Sequence, residues 1–439
     1  MTSLLDRKRL EIAAKRSALV DEFDYWQKAS EEGKPFEKHN TQIRRVVARI
    51  SGLLPEAPAG GGDAFLKGRR ALEERVLTAY SLWDFFRGKL VLRQEAWSGP
   101  HLRACDEFAW ACYSPLRDRL PVDQRREPPL VFLNGGWSPY AVPREQTYRV
   151  EKSAGGWLAK MPFQDAVDRL PLAVIGVPWY QASHLPDVLV IGHEMGHVVE
   201  WEFGWRDAST QAIQKAKIPV SHQPAWLHWR MEVFADLYGC LSGGEAFTGS
   251  LADFLAAPVD QLQTEEFNEL DPHPPAWLRL KLLAAALDAT GNASAAQDLL
   301  TQWTSLYGTH ADDDKFGDDA GPVMDALLAG PYTIAGVSKR LDEFLPPPAN
   351  LRQLAINIAL SNAVSDNDEM LLRRKLFAAA RILYADNPEV YASAKYAGDI
   401  VNRVIGLIKP GVRGSGAPDL DSLTRNDRQA GSTWASDWF

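Results

Sequence analysis

The chain has 439 residues, 46% of them apolar and 24% charged, which suits a sizeable buried core and excludes a disordered or collagen-like polymer. A formal charge of −9 at pH 7 provides no overall basic field for nucleic acid or anionic lipid. Cys105, Cys112 and Cys240 are too few for a disulfide framework. No secretory pattern or bilayer-length apolar run is present, so the expectation is a soluble, cytoplasmic protein without membrane contact.

Residues 1–53 read as helical, with Leu4, Leu5, Leu10, Ile12, Leu19 and Phe23 forming an approximate stripe among charged side chains. The Pro- and Gly-rich stretch 55–62 reads as a linker. Helical patterns resume over 65–92 and 101–119. The texture changes near Pro121: 130–133 predicts a short strand ending at the Asn134-Gly135-Gly136 turn, and 172–177 predicts a second strand stopped by Pro178. Helices dominate again from Pro186. The acidic stretch 311–319 lacks the calcium-loop pattern, with Phe316 at a ligand position, and reads as a solvated loop. Two or three helices are expected over 351–408. The polar, Gly- and Ser-rich end, with Trp434, Trp438 and Phe439, reads as mobile. The expected organisation is an N-terminal helical region 1–120, a core 121–300, a C-terminal helical region 301–410 and a tail 411–439. The fold class is α+β, predominantly helical.

Chemistry concentrates in 185–201. Pro186 suits a first helical turn, and Val188, Ile191, Met195 and Val199 form one apolar face. His193 and His197 are four apart on another face, with Cβ atoms roughly 5–6 Å apart, so both imidazoles can reach one metal ion. Glu194 is rotated roughly 100° from His193, beside such an ion, where its carboxylate can address a water. The plain alternative is a pair of satisfied histidines on a half-buried helix.

A closed catalytic site needs a third protein ligand. Glu200 and Phe203 stand where one class of zincins carries Gly and His, which excludes that class. A later helical stretch, 225–241, supplies Glu232 and Asp236, again four apart. Glu232 can ligate, and Asp236 can accept the free ring N–H of His193 and fix its tautomer. Their alternative is a solvent-facing pair.

His193-Glu194-Met-Gly-His197 followed by Glu232-x-x-Ala-Asp236 resembles the gluzincin clan of zinc metallopeptidases. His273-Pro274-Pro275-Ala-Trp-Leu-Arg279 is similar to a segment of the family that includes the CAAX-prenyl endopeptidases. The resemblance covers roughly 170–290, and the chain departs from that membrane family in having no transmembrane segment. It implies a zincin-like core with a small sheet and an active-site helix, and zinc held by His193, His197 and Glu232. Glu194 would act as general base on a metal-activated water and then as donor to the leaving amine. His273 is the first candidate for oxyanion donor, and Arg279 either holds it or contacts substrate; Tyr238 and Tyr180 are further candidates. Stretch 172–177 is expected to be the edge strand that pairs with an extended peptide. His228, one turn before Glu232, can approach the site.

The expectation is therefore a soluble zinc-dependent endopeptidase acting on a peptide or protein. A non-catalytic zinc-binding regulatory protein, docking a partner through its helical flanks or tail, is the alternative. A di-iron carboxylate oxidase needs a second Glu-x-x-His, and the sequence has none.

Overall fold

The computed structural model describes residues 3–54, 62–144, 146, 171–265, 268, 271–310, 313–360, 362, 365–392, 394–406 and 420–438. The expected linker lies outside these, except for Gly62. Four helices open the chain: α1 (Leu4–Ala29), α2 (Asn40–Ser51), α3 (Gly62–Val91) and α4 (Ser98–Arg117). Ser3 caps the first, its Oγ accepting from the Asp6 amide at 3.1 Å.

A three-stranded sheet follows, made of β1 (Leu130–Asn134), β2 (Tyr140–Val142) and β3 (Val174–Pro178), in the order β1-β3-β2. β1 runs parallel to β3 with Leu130 beside Val174; β2 runs antiparallel with Tyr140 beside Gly176. Alternation of side chains divides the sheet between two cores. Val131, Ile175 and Val177 enter the main core, whereas Leu130, Phe132 and Val174 join Phe23, Trp83 and Ile43 of the N-terminal helices. β3 is therefore the central strand, which corrects its expected place at the edge. The edge facing the helices is β2, flanked by Pro139 and Pro143 and too short to show a period in the sequence.

Helices build the remainder. They are α5 (Ile191–Glu202), α6 (Arg206–Lys215), α7 (Gln223–Gly243), α8 (Glu245–Leu255), α9 (Ala276–Ala289), α10 (Ala293–Tyr307) and α11 (Ala320–Ala329). After a hairpin of β4 (Tyr332–Ile334) and β5 (Val337–Lys339) come α12 (Leu351–Ala359), α13 (Glu369–Asp386), α14 (Ala394–Gly406) and α15 (Leu420–Trp438). Among the described residues no helix is long and apolar enough to cross a membrane.

The crossing of α5 on α7 positions the site. Val188, Ile191, Met195 and Val199 are all buried in the main core, as their spacing requires. Gly196 lets the backbones approach: a Cβ there would lie 2.7 Å from the Ala235 Cα and 3.0 Å from the Tyr238 Cβ. At Gly192 a Cβ would meet that of Ser242 at 3.0 Å.

Phe108 of α4, Met195 of α5, Leu327 of α11 and Phe377 of α13 share one core. Two further sequence expectations are corrected. The tail is not free over 420–438: α15 lies on α2, with Asp427 buried and accepting from Arg45 Nε at 2.8 Å and Arg49 Nη2 at 2.9 Å. The acidic stretch is not simply solvated either. Phe316 is buried, and Asp319 accepts from Trp226 Nε1 at 2.8 Å and pairs with His222 Nδ1 at 2.7 Å.

Candidate metal centre

α5 presents His193 and His197 from successive turns, and α7 presents Glu232 opposite them. The Oε2 atom of Glu232 lies 3.2 Å from His193 Nε2 and 3.6 Å from His197 Nε2, and the two Nε2 atoms are 3.2 Å apart. His193 Nδ1 meets Asp236 Oδ1 at 2.8 Å. When that nitrogen donates, neutral His193 is left with a bare Nε2 pointing at the other two groups. Glu232 Oε2 is buried without a well-directed hydrogen bond. Lone pairs of two imidazoles and a carboxylate thus face one another, an arrangement that a cation satisfies. The His193–His197–Glu232 cluster could hold a metal ion.

Asp236 sits against His193 as the sequence suggested, and Arg279 adds a contact that the sequence did not suggest. Arg279 Nε donates to Asp236 Oδ2 at 2.9 Å and its Nη2 to Oδ1 at 2.6 Å, a bidentate fork wholly inside the protein. Burial penalises the Asp236 charge, but Arg279 and His193 together hold its carboxyl below the usual range. Arg279 therefore fixes the carboxylate that fixes His193, and it also lines the cleft. Burial likewise works against a charge on His193, yet Asp236 and Glu232 push its pKa up to about 10, so a proton or a metal ion at Nε2 meets the same demand for positive charge. Glu232 is held far below the ordinary carboxylate range; its burial is outweighed by the imidazoles of His193, His197 and His273 close to Oε2.

Glu194 is different. It is buried at 5% exposure, lines the cleft, and makes no hydrogen bond or ion pair among the described residues. Desolvation pushes its carboxyl above the normal range. His273 approaches from the loop before α9, half-exposed, with Nε2 3.3 Å from Glu232 Oε2. The Glu232 carboxylate raises its pKa, while Asp271 Oδ1 accepts from its backbone N at 2.9 Å and sits 3.1 Å from its Nδ1. His228 reaches this loop rather than the ligands: its Nε2 lies 2.9 Å from the Asp271 carbonyl. Tyr238 donates to the Cys112 carbonyl at 2.6 Å and Tyr180 to that of Trp137 at 3.0 Å, so neither serves the site.

The cluster opens into a cleft of about 660 Å³, with 138–143 including β2 along one wall and α5 and α7 along the other. The sequence reading missed Asp271, whose two-residue spacing from His273 was the available signal. It also missed Arg230 on α7, which donates to Glu200 of α5 inside the same cleft. No family model, curated protein or solved structure matches this chain.

Proposed function

We propose that the protein is a zinc-dependent peptidase of the gluzincin type. The observation that carries this reading is Glu194, a carboxylate at the cleft wall with no hydrogen-bond partner among the described residues, beside a convergent His-His-Glu donor set. Desolvation opposes its charge, and a proton-transfer role accounts for keeping a carboxylate there. One carboxylate and two imidazoles are a donor set that suits zinc. Zinc held there supplies a Lewis acid that polarises the scissile carbonyl and acidifies the attacking water.

The protein groups do the rest. Glu194 accepts the proton of the attacking water, helped by its raised pKa, and returns it to the leaving amine. His273, when its ring is protonated and Nδ1–H is engaged by Asp271, presents Nε2–H to the developing oxyanion. Arg279 and Asp236 hold His193 in one tautomer. Among the described residues β2 pairs with β3 on one side only, leaving main-chain groups on the cleft side to align an extended peptide. The test is Glu194→Gln assayed on unbiased peptide mixtures with zinc present. Zinc content should stay unchanged and cleavage should fall by about 10²–10⁴-fold; cleavage at the wild-type rate would remove Glu194 from the chemistry.

A further inference from the structure

We infer that the cleft binds a substrate carboxylate one helical turn beyond the metal-binding histidines, and that Arg206 and Arg230 select it. This rests on the peptidase reading. Glu200 follows His197 by three residues, about 4.5 Å along the helix axis. That distance is little more than the rise of one extended residue, about 3.3 Å, so the subsite serves a residue close to the scissile bond.

The subsite is built rather than incidental. Arg230 is buried at 7% exposure. Its Nη1 donates to Glu200 and to Ser209 Oγ at 2.7 Å, and Ser209 Oγ in turn donates to Glu200 Oε1 at 2.5 Å. This triangle fixes the guanidinium. Its Nε and Nη2 take no protein partner among the described residues, and Arg230 lines the cleft. Arg206, the first residue of α6, also lines the cleft. It is exposed and forms no ion pair or side-chain hydrogen bond among the described residues. Glu200 offsets the charge of Arg230, whereas Arg206 has no ionic partner among the described residues. A rigid guanidinium edge and a second cation lining one cleft match a planar carboxylate. The carboxylate belongs either to an Asp or Glu side chain or to a peptide C-terminus.

Binding separates these sources and does not require turnover. Zinc-loaded Glu194→Gln protein is titrated with fluorescent octapeptide pools that carry Glu or Gln at one fixed position and end in a free acid or an amide. Glu pools should bind about tenfold tighter than Gln pools at one position if a side chain is read; free-acid pools should show the same margin over amides if the terminus is read. Arg206→Ala should remove most of that margin, and Arg206→Glu should reverse it in favour of Lys pools, with zinc content unchanged in both. Arg206 is exposed, so these variants keep the proposal testable even if Arg230→Gln fails to fold. Equal affinity in both arms, or a margin that Arg206→Ala leaves intact, overturns the inference. A margin that obeys these variants while the wild type cleaves no pool overturns the peptidase reading and keeps the carboxylate subsite. Absence of binding by every pool overturns both.

Discussion

Two clusters of buried charge are settled in different ways. In the first, Arg45, Arg49 and Arg144 face Glu127, Asp427 and Glu202. Arg45 Nη1 meets Glu127 at 2.9 Å, Arg45 Nε meets Asp427 at 2.8 Å, and Arg144 pairs with Glu127 and lies 3.3 Å from Glu202. Cations and anions match one for one, and the network ties α15 to α2 and both to the end of α5. In the second, His193, His197 and Glu232 face one another, and Glu194 beside them has no hydrogen-bond partner among the described residues. Every buried charge needs an answer. Where the protein supplies it, the cluster works as a staple; the second cluster is one that could hold a metal ion.

The largest effect that sharpens this contrast falls on the staple. Glu127→Gln leaves Arg45 and Arg144 partly uncompensated and should cost about 3 kcal/mol of unfolding free energy at pH 7 without altering zinc content. Its pH dependence has a definite sign. Burial would raise the Glu127 carboxyl, but Arg144 and Arg45 bring it down to about 2 from an ordinary 4.5. Its contribution is therefore complete above the unfolded value and disappears as pH falls through the folded one. Chemical denaturation of wild type and variant should give curves that converge between those two pH values; a gap that stays constant there contradicts the assignment. A smaller effect belongs to the second cluster. Asp236→Asn keeps the shape of the side chain and weakens its grip on His193 and Arg279, so zinc affinity should fall by about 10- to 100-fold in competition with a chelator. An unchanged affinity would mean that the Arg279–Asp236–His193 chain does not support the ligand.

What the sequence disclosed follows from the range of its signals. His193, Glu194 and His197 share one helix, as do Glu232 and Asp236, and a spacing of four fixes their faces whatever the rest of the chain does. β2 was hidden because three residues between prolines are too few for a period. The place of β3 at the centre of the sheet depends on which strands flank it, and its own residues do not encode that. The pairing of Arg279 with Asp236 was not foreseen because the two lie 43 positions apart in the chain. The C-terminal helix was misread because its polar face carries Asp427, whose burial makes sense only with Arg45 and Arg49 against it.

Zinc-edge anomalous scattering from crystals of the zinc-loaded protein addresses the convergence of α5 and α7 on one cation most directly. The account expects a single strong peak about 2.0–2.2 Å from His193 Nε2, His197 Nε2 and a Glu232 carboxylate oxygen, absent from His193→Ala crystals grown alike. A peak elsewhere with these three side chains bare, or equal occupancy in the variant, would contradict it.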